Sequence, residues 1–301
     1  MITLSEIKAH IIQAKEHLSP DSLWIILGPT ASGKTRTAVE LAKAFDGEII
    51  SADSRQVYRH MDIGTGKDLE EYQDIPHHLI NIADPGERYQ VDRFRQDFFA
   101  AYDSIIARGK QAILCGGTGS YIQTILQQSI YAQIPKDPTV QAELSLFSKE
   151  QLELKIREIG IPTDFTIDFH SHKRLVRALE ILGYIQIHKP DLKPLRTIEN
   201  YHAIGINPNV ENRRAAIKSR LVKRLGHGLI GEVQGLLDDG LSFADLHYYG
   251  LEYRYVGLYL QGELTYEGFV EKLTTEINRY AKRQMTYFRK MEKDGIKINW
   301  F

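Results

Sequence analysis

The sequence predicts an α/β protein in which a parallel sheet is flanked by helices and interrupted by a helical insertion. Three observations carry that expectation. Short apolar runs alternate with helical stretches between Ser22 and Cys115, as in β-α-β units. A glycine-bearing loop follows the first run and opens a helix. Strand signals disappear between Ile134 and Pro194 and return at Tyr201.

In chain order, Met1–Ser19 alternates polar and apolar residues at helical spacing, with Ile7, Ile11, Ile12 and Ala14. Ser22–Leu27 (SLWIIL) reads as a buried strand, then a helix runs from about Thr35 to Phe45. Glu48–Ser51 is the second strand and His78–Ile82 the expected third. Val91–Arg108 has helical periodicity, placing Phe94, Phe98, Tyr102 and Ile105 on one side, and Gln111–Cys115 is another strand. The character changes at Ile134-Pro135-Lys136-Asp137-Pro138. From there the segments are helical until His188-Lys189-Pro190 and Lys193-Pro194. Tyr201–Ile206 is a strand ending at Asn207-Pro208, helices dominate from Asn212 to about Lys293, and Ile296–Trp300 adds an edge strand. The expected division is a core of residues 1–132 and 199–301 around an insertion of residues 133–198.

Composition excludes several classes. The chain is 43% hydrophobic with a formal net charge of −1, so no global basic field advertises a nucleic-acid partner, and any such partner would be held by local patches. The single cysteine, Cys115, forbids an intrachain disulfide and sits in an apolar run as a small buried hydrophobe. No apolar run reaches the length of a bilayer span. The N-terminus lacks the apolar centre of a signal peptide and the Arg/Ser richness of a transit peptide. A soluble, cytoplasmic protein with no membrane association is expected, as a monomer. His77-His78 is no metal pair: the two point opposite ways on a strand and no Cys or carboxylate cluster completes a site.

Gly28-Pro29-Thr30-Ala31-Ser32-Gly33-Lys34-Thr35 matches G-x-x-x-x-G-K-[ST] between a strand and a helix, which makes the expected sheet P-loop NTPase-like. Glycines let the backbone curl so that its N–H groups face one anion, Lys34 adds a point charge, and Thr35 offers a hydroxyl to Mg²⁺. The helix N-terminus points its positive end at the same anion. The motif specifies a diphosphate-like group, not a nucleotide. A standard NTPase also places an acid on Mg²⁺ after another strand. Here Cys115 is followed by Gly116-Gly117-Thr118-Gly119, without an acid.

Asp53 stands just past the second strand. Ligands of parallel sheets bind at the strands' C-terminal ends, so Asp53 is expected near the phosphate loop. A carboxylate there can take a proton from an attacking group, help hold Mg²⁺, or cap the next turn. Between Glu211 and Arg224 there are six basic residues and one acid, with Arg213, Arg220 and Arg224 in one stripe beside Ile217, Leu221 and Leu225. That is a core-packed helix with a cationic face, either solvated or turned to a ligand. Lys282-Arg283-Gln284 with Thr286, Tyr287 and Phe288 suits phosphates and unpaired bases, or an amphipathic helix end with Tyr280, Met285 and Phe288 inward.

In sequence order, five blocks resemble the tRNA dimethylallyltransferase (isopentenyltransferase) family. They are the phosphate loop, Asp53-Ser-Arg-Gln-Val-Tyr58 with Met61-Asp-Ile-Gly-Thr65, Gly116-Gly-Thr-Gly-Ser-Tyr121, Arg174-Leu-Val-Arg-Ala-Leu-Glu180, and Tyr280-Ala-Lys-Arg-Gln-Met-Thr-Tyr-Phe-Arg289. The resemblance implies transfer of a dimethylallyl group from dimethylallyl diphosphate to the exocyclic amine of the adenosine just 3′ of the anticodon. It implies Asp53, Thr30 and Arg220 as catalytic residues, with Asp53 holding the amine and taking its proton. Gly28, Thr30, Ala31, Ser32, Gly33, Lys34, Thr35 and Arg220 would bind the diphosphate, with Mg²⁺ at Thr35. The tRNA anticodon stem-loop would meet Asp53, Ser54, Arg55, Gln56 and Thr118 near the chemistry. In the insertion it would meet Lys173, Arg174 and Arg177, and further on Arg254, Lys282, Arg283, Gln284 and Arg289. The sequence departs from the family pattern at Ala216 and Gln141, where arginines are expected, and at Glu252, where glycine is; the insertion is short. The competing readings are prenylation of a free adenine nucleotide, a small-molecule P-loop kinase, and a non-catalytic RNA-binding protein.

Overall fold

The computed structural model describes residue 19 and residues 21–301. The helical spacing expected over Met1–Ser19 therefore lies outside the described residues, save Ser19. The chain divides into two compact units, one formed by the chain up to Leu126 together with Ile198–Phe301, the other by Gln127–Thr197.

The first unit is built on a six-stranded sheet. Its strands are β1 (Leu23–Leu27), β2 (Gly47–Ser51), β3 (His77–His78), β4 (Gln111–Gly116), β5 (Tyr201–Gly205) and β6 (Asn299–Trp300). Every pairing is parallel, in the order β3-β2-β4-β1-β5-β6. Side chains alternate between faces along a strand, and the core follows that rule. Leu23, Ile25 and Leu27 pack into one apolar layer, Trp24 and Ile26 into the other. The helix after the phosphate loop, α1 (Lys34–Phe45), covers the second layer with Ala38, Val39 and Ala42. The first layer is filled by Phe94, Phe98 and Tyr102 of α2 (Val91–Ala107), the face expected from their spacing.

The third strand is shorter than expected. Pairing stops at His78 because Leu79 (φ 63°) and Asn81 (φ 57°) take left-handed backbone, which ends an extended run. Tyr58 and Ala83 form an isolated parallel bridge beyond it. His77 is exposed and His78 bonds to Glu48 at 2.6 Å. The expected last edge strand is present at Asn299–Trp300, paired with Ile204 and Gly205.

After β4 the short α3 (Gly119–Leu126) leads out of the sheet. The second unit holds α4 (Pro138–Leu144), α5 (Lys149–Ile159) and α6 (His172–His188), with no strand among its described residues. Leu152 and Ile156 of α5 pack on Leu175, Leu179 and Leu182 of α6. Glu180, 5% exposed, accepts from the Asp137 amide, from Gln141 Nε2 and from Arg177. Gln141 thus donates to a buried carboxylate where the resemblance led us to expect an arginine.

The chain returns through β5 into five helices: α7 (Val210–Gly226), α8 (Leu229–Asp238), α9 (Phe243–Tyr249), α10 (Leu251–Leu260) and α11 (Tyr266–Lys293). Helix α11 buries Phe269, Leu273, Ile277, Ala281 and Met285, four residues apart, against the sheet's first layer. Gln284 is a buried polar residue on this helix. No helix of the described residues is long and apolar enough to cross a membrane.

Candidate active site

The strand order places the ends of β2, β4 and β1 side by side. Register aligns Leu27 with Gly116 and Ser51 with Cys115, so all three strands finish level. The phosphate loop leaves β1, Asp53 leaves β2, and Gly116-Gly117-Thr118 leaves β4 between them. Two strand spacings put roughly 10 Å between the loop and Asp53. A cavity of about 470 Å³ opens there, lined by Thr30, Lys34, Thr35 and Asp53 among others.

The loop's curl is forced by close contacts. A Cβ on Gly28 would lie 2.4 Å from Ile206 O, so only glycine lets β5 pass that near. Ala31 (φ 59°) and Gly33 (φ 83°) adopt left-handed backbone, which turns the chain into α1. Lys34 Nζ donates to Pro29 O at 3.3 Å. Burial lowers the Lys34 pKa and Arg220 pushes the same way, against opposing pulls from Cys115 and Asp53. An arriving anion favours the charged ammonium. Ser32 Oγ is buried without a hydrogen-bond partner among the described residues, as expected of a loop shaped for a polar ligand.

Asp53 is fixed by its own turn: Oδ1 accepts from the Arg55 amide at 2.9 Å. Ser54 N–H donates to Thr118 Oγ1 at 3.2 Å, and Thr118 N–H to Ala52 O at 3.1 Å, which ties the β2 and β4 exits together. Gln56 links Ser51 Oγ to Gly66 O. The segment carrying Gly66 is pinned by Glu232 of α8, whose carboxylate accepts from the amides of Asp62, Ile63 and Gly64 at 2.7–2.9 Å and from Tyr253 Oη at 2.8 Å.

Arg220 reaches this segment from α7, donating to Gly66 O at 3.1 Å and pairing with Asp68. Arg224 lies one turn on. Sequence spacing put Arg213, Arg220 and Arg224 in one stripe, but the structure separates them. Arg213 donates to Asn207, in a different cleft with Lys282 and Arg289, while Arg220 and Arg224 both line the cavity. The separation follows from helix length, because seven residues carry Arg213 about 10 Å along the axis.

Arg55, Arg254 and Arg283 complete the cationic lining, making six cations with Lys34, Arg220 and Arg224 against two carboxylates, Asp53 and Glu252. In a chain of net charge −1 that concentration suits a polyanion. Arg55 lies over the Tyr248 ring at 4.7 Å and Arg283 over Tyr280 at 5.9 Å. Tyr249, Leu251, Ile277 and Tyr280 give the cavity an apolar side.

Three expected RNA contacts turn out to be engaged within the protein. Gln284 accepts from the Thr30 amide (2.8 Å) and donates to Gly117 O (3.0 Å), a strut for the phosphate loop. Within the second unit, Arg177 donates to Ile134 O and Pro135 O and pairs with Glu180. Arg174 pairs with Asp168 on the surface, and Lys173 is exposed. Sequence reading missed Glu252 and Arg224 as lining residues, and Glu232 and Tyr253 as a brace. For Arg224 the signal existed: it lies four residues after Arg220, hence on the same face.

The family model described as IPP transferase matches residues 56–291. The chain is 46% identical over 279 residues to tRNA dimethylallyltransferase 2 of Shewanella sediminis, covering 93% of this chain and 92% of that one. It is 47% identical over 279 residues to tRNA dimethylallyltransferase 2 of Porphyromonas gingivalis, covering 91% and 92%. Among solved structures, the tRNA isopentenylpyrophosphate transferase of Bacillus halodurans superposes with a TM-score of 0.68 at 34% identity, covering 93% of this chain and 89% of that one.

Proposed function

The chain belongs to the IPP transferase family, and from that premise we propose that it transfers a dimethylallyl group from dimethylallyl diphosphate to the exocyclic amine of the adenosine 3′ to the anticodon of tRNA. The observation that carries this reading is the placement of Asp53 in the same cationic cavity as Thr30, Lys34 and Arg220. A gap of about 10 Å between loop and carboxylate admits a short allylic chain with a base amine beyond it. A nucleotide kinase would leave the apolar side of the cavity, Tyr249, Leu251, Ile277 and Tyr280, without a role.

We assign the diphosphate to the loop Gly28–Thr35, as a ligand for the backbone amides of Ala31, Ser32 and Gly33 and for the Thr30 hydroxyl. The Thr30 amide is taken by Gln284, so the contribution of Thr30 is its side chain. Lys34 and Arg220 stabilise the negative charge that grows on the departing oxygen, which usually provides the largest share of such catalysis. The amine nitrogen forms a bond to the allylic carbon, the carbon–oxygen bond breaks, and diphosphate leaves with the electron pair. Asp53, with Oδ1 anchored by the Arg55 amide, receives the amine proton on Oδ2.

The hard oxygens of Thr35 and of a diphosphate suit Mg²⁺, which keeps few protein ligands beside phosphates. Among the described residues no group of three or more His, Cys, Asp or Glu is placed to hold a metal ion. Thr35 would hold the ion, which when bound neutralises diphosphate charge.

The adenine must leave its stack to reach Asp53. Ser54, Arg55, Gln56 and Thr118 border its path. Arg254, Lys282, Arg283 and Arg289 line clefts of the first unit, and Lys173 and Arg174 are exposed on the second; we assign all of these to tRNA phosphates. The protein acts in the cytoplasm as a monomer.

The test offers purified protein dimethylallyl diphosphate and Mg²⁺ with unmodified tRNA, or with AMP, ADP or ATP, and analyses nucleosides by mass spectrometry. Prenyladenosine in tRNA digests is expected, with no product from free nucleotides. Product from a nucleotide alone overturns the acceptor assignment. Thr30→Ala and Arg220→Ala should each lower turnover as well as donor affinity; a change confined to tRNA affinity would remove Arg220 from the diphosphate site.

A further inference from the structure

Helix α7 presents two guanidinium groups to one stretch of backbone. Arg220 Nη2 donates to Gly66 O at 3.1 Å, and Arg224 Nη1 to Gly64 O at 3.4 Å. A Cβ built on Gly66 would lie 1.4 Å from Arg224 Nη2 and 2.7 Å from Arg220 Nη2, so both groups crowd a position only glycine can occupy. Burial lowers the Arg224 pKa, and the neighbouring Arg220 charge lowers it further. Two like charges held this way repel, and the carboxylates of Asp68, on Arg220, and Glu252, on Arg224, offset only part of that.

Glu252, at the start of α10, answers part of that charge. Its Oε1 lies 3.1 Å from Arg224 Nη1, and the two side chains are only 11% (Arg224) and 17% (Glu252) exposed. Burial pushes the Glu252 pKa up, with Arg224 opposing. The pair is therefore costly on its own account. Such a pair is more often neutral than stabilising relative to apolar residues of the same size, so stability is a poor reason for its presence in a ligand cavity. One donor remains: Arg224 Nε is buried without a hydrogen-bond partner among the described residues. The only other such atom among them, Ser32 Oγ, belongs to the phosphate loop. Both are donors that a diphosphate can satisfy.

We propose that Arg224 is a further diphosphate ligand of this enzyme, acting beside Arg220, and that Glu252 is a positioning residue that aims it. A guanidinium is suited to this because it serves two partners at once: Nη1 stays on Glu252 and the backbone, while Nε, the donor left without a partner, is offered to the anion. The carboxylate also prevents the two arginines from repelling each other out of register before substrate arrives.

The inference rests on the prenyl-transfer reading, and the experiment separates the two. Inorganic diphosphate is titrated calorimetrically into wild type, Arg224→Ala, Arg224→Lys and the double variant Arg224→Met/Glu252→Gln. KM is measured for each substrate. The double variant removes both charges at similar volume, which guards against the buried unpaired carboxylate of the single alanine. Arg224→Ala and the double variant should bind diphosphate about tenfold or more weakly and raise KM for dimethylallyl diphosphate similarly, with KM for tRNA unchanged. Arg224→Lys should lie between, since it keeps the charge and loses the fork. Glu252→Gln alone should show a smaller loss in the same two quantities. Wild-type diphosphate affinity in the double variant, or in Arg224→Lys if the others do not fold, makes Arg224–Glu252 a structural ion pair and overturns the proposal. A loss confined to the KM for tRNA overturns it too. Wild type that neither binds diphosphate nor prenylates tRNA refutes the underlying reading instead.

Discussion

Gln284 Oε1 accepts the Thr30 amide at 2.8 Å across 254 residues of sequence, binding the longest helix of the chain to the phosphate loop. The other end of the same side chain donates to Gly117 O at 3.0 Å. One buried amide thus sets the spacing between the β1 exit and the β4 exit.

Gln284→Ala should therefore destabilise the protein by about 1–3 kcal/mol, the cost of leaving a buried donor and acceptor unmade. It should also weaken inorganic diphosphate binding through a loosened loop. Gln284→Glu should not restore either, because a carboxylate cannot donate to Gly117 O. Urea unfolding and calorimetry measure both. A variant with normal stability and diphosphate binding but poor tRNA affinity would return Gln284 to the RNA interface.

Asp53→Asn should keep the fold and diphosphate affinity, since the amide oxygen can still accept from Arg55 N–H. Turnover should drop about 10²–10⁴-fold, the usual worth of a positioned base. Single-turnover kinetics with saturating substrates give the number, and a wild-type rate would exclude Asp53 as the base.

The two arginines of α6 should behave differently. Arg174 forms a surface pair with Asp168 that a phosphate can replace, so Arg174→Ala should weaken tRNA binding and flatten its salt dependence by about one counterion. Arg177 holds the carbonyls of Ile134 and Pro135 and the buried Glu180, so Arg177→Ala should chiefly destabilise the insertion. Filter binding at several salt concentrations, with protease sensitivity between 127 and 197, separates the outcomes. Equal effects of both variants on RNA alone would contradict the assignment.

Cys115 should be inert. Burial pushes its thiol up to about 12, so at pH 8 only about one molecule in ten thousand is a thiolate, the nucleophilic form. Because the pKa is raised, reactivity should appear only as pH climbs toward that value. Native protein should resist a disulfide reagent and react once unfolded; rapid labelling of the native state at pH 8 would refute the burial argument.

Much of this was legible in sequence because it depends on local order. The continuous apolar run Leu23–Leu27 dictated a strand buried on both faces, the glycines and Lys34 dictated an anion loop, and the spacing of Phe94, Phe98, Tyr102 and Ile105 dictated the buried face of α2. His78–Ile82 read too long because composition does not reveal that Leu79 and Asn81 adopt positive φ. A residue's type and spacing state what it can bond to, not which partner reaches it first. Gln284 and Arg177 look like RNA ligands in a linear motif, and each found a protein partner in the fold.

Local order is enough for the parallel sheet, the phosphate-loop motif and the position of Asp53 at a strand end, since hydrophobic period and motif chemistry act over a few residues. Which cations share the cavity depends instead on long-range packing. Strand order β2-β4-β1 set Asp53 two strands from the loop, and the crossing of α7 over Gly66 brought Arg220 and Arg224 in while leaving Arg213 outside. Those contacts join segments more than 150 residues apart, and the burial that makes them is a property of the packed chain, which no local pattern encodes.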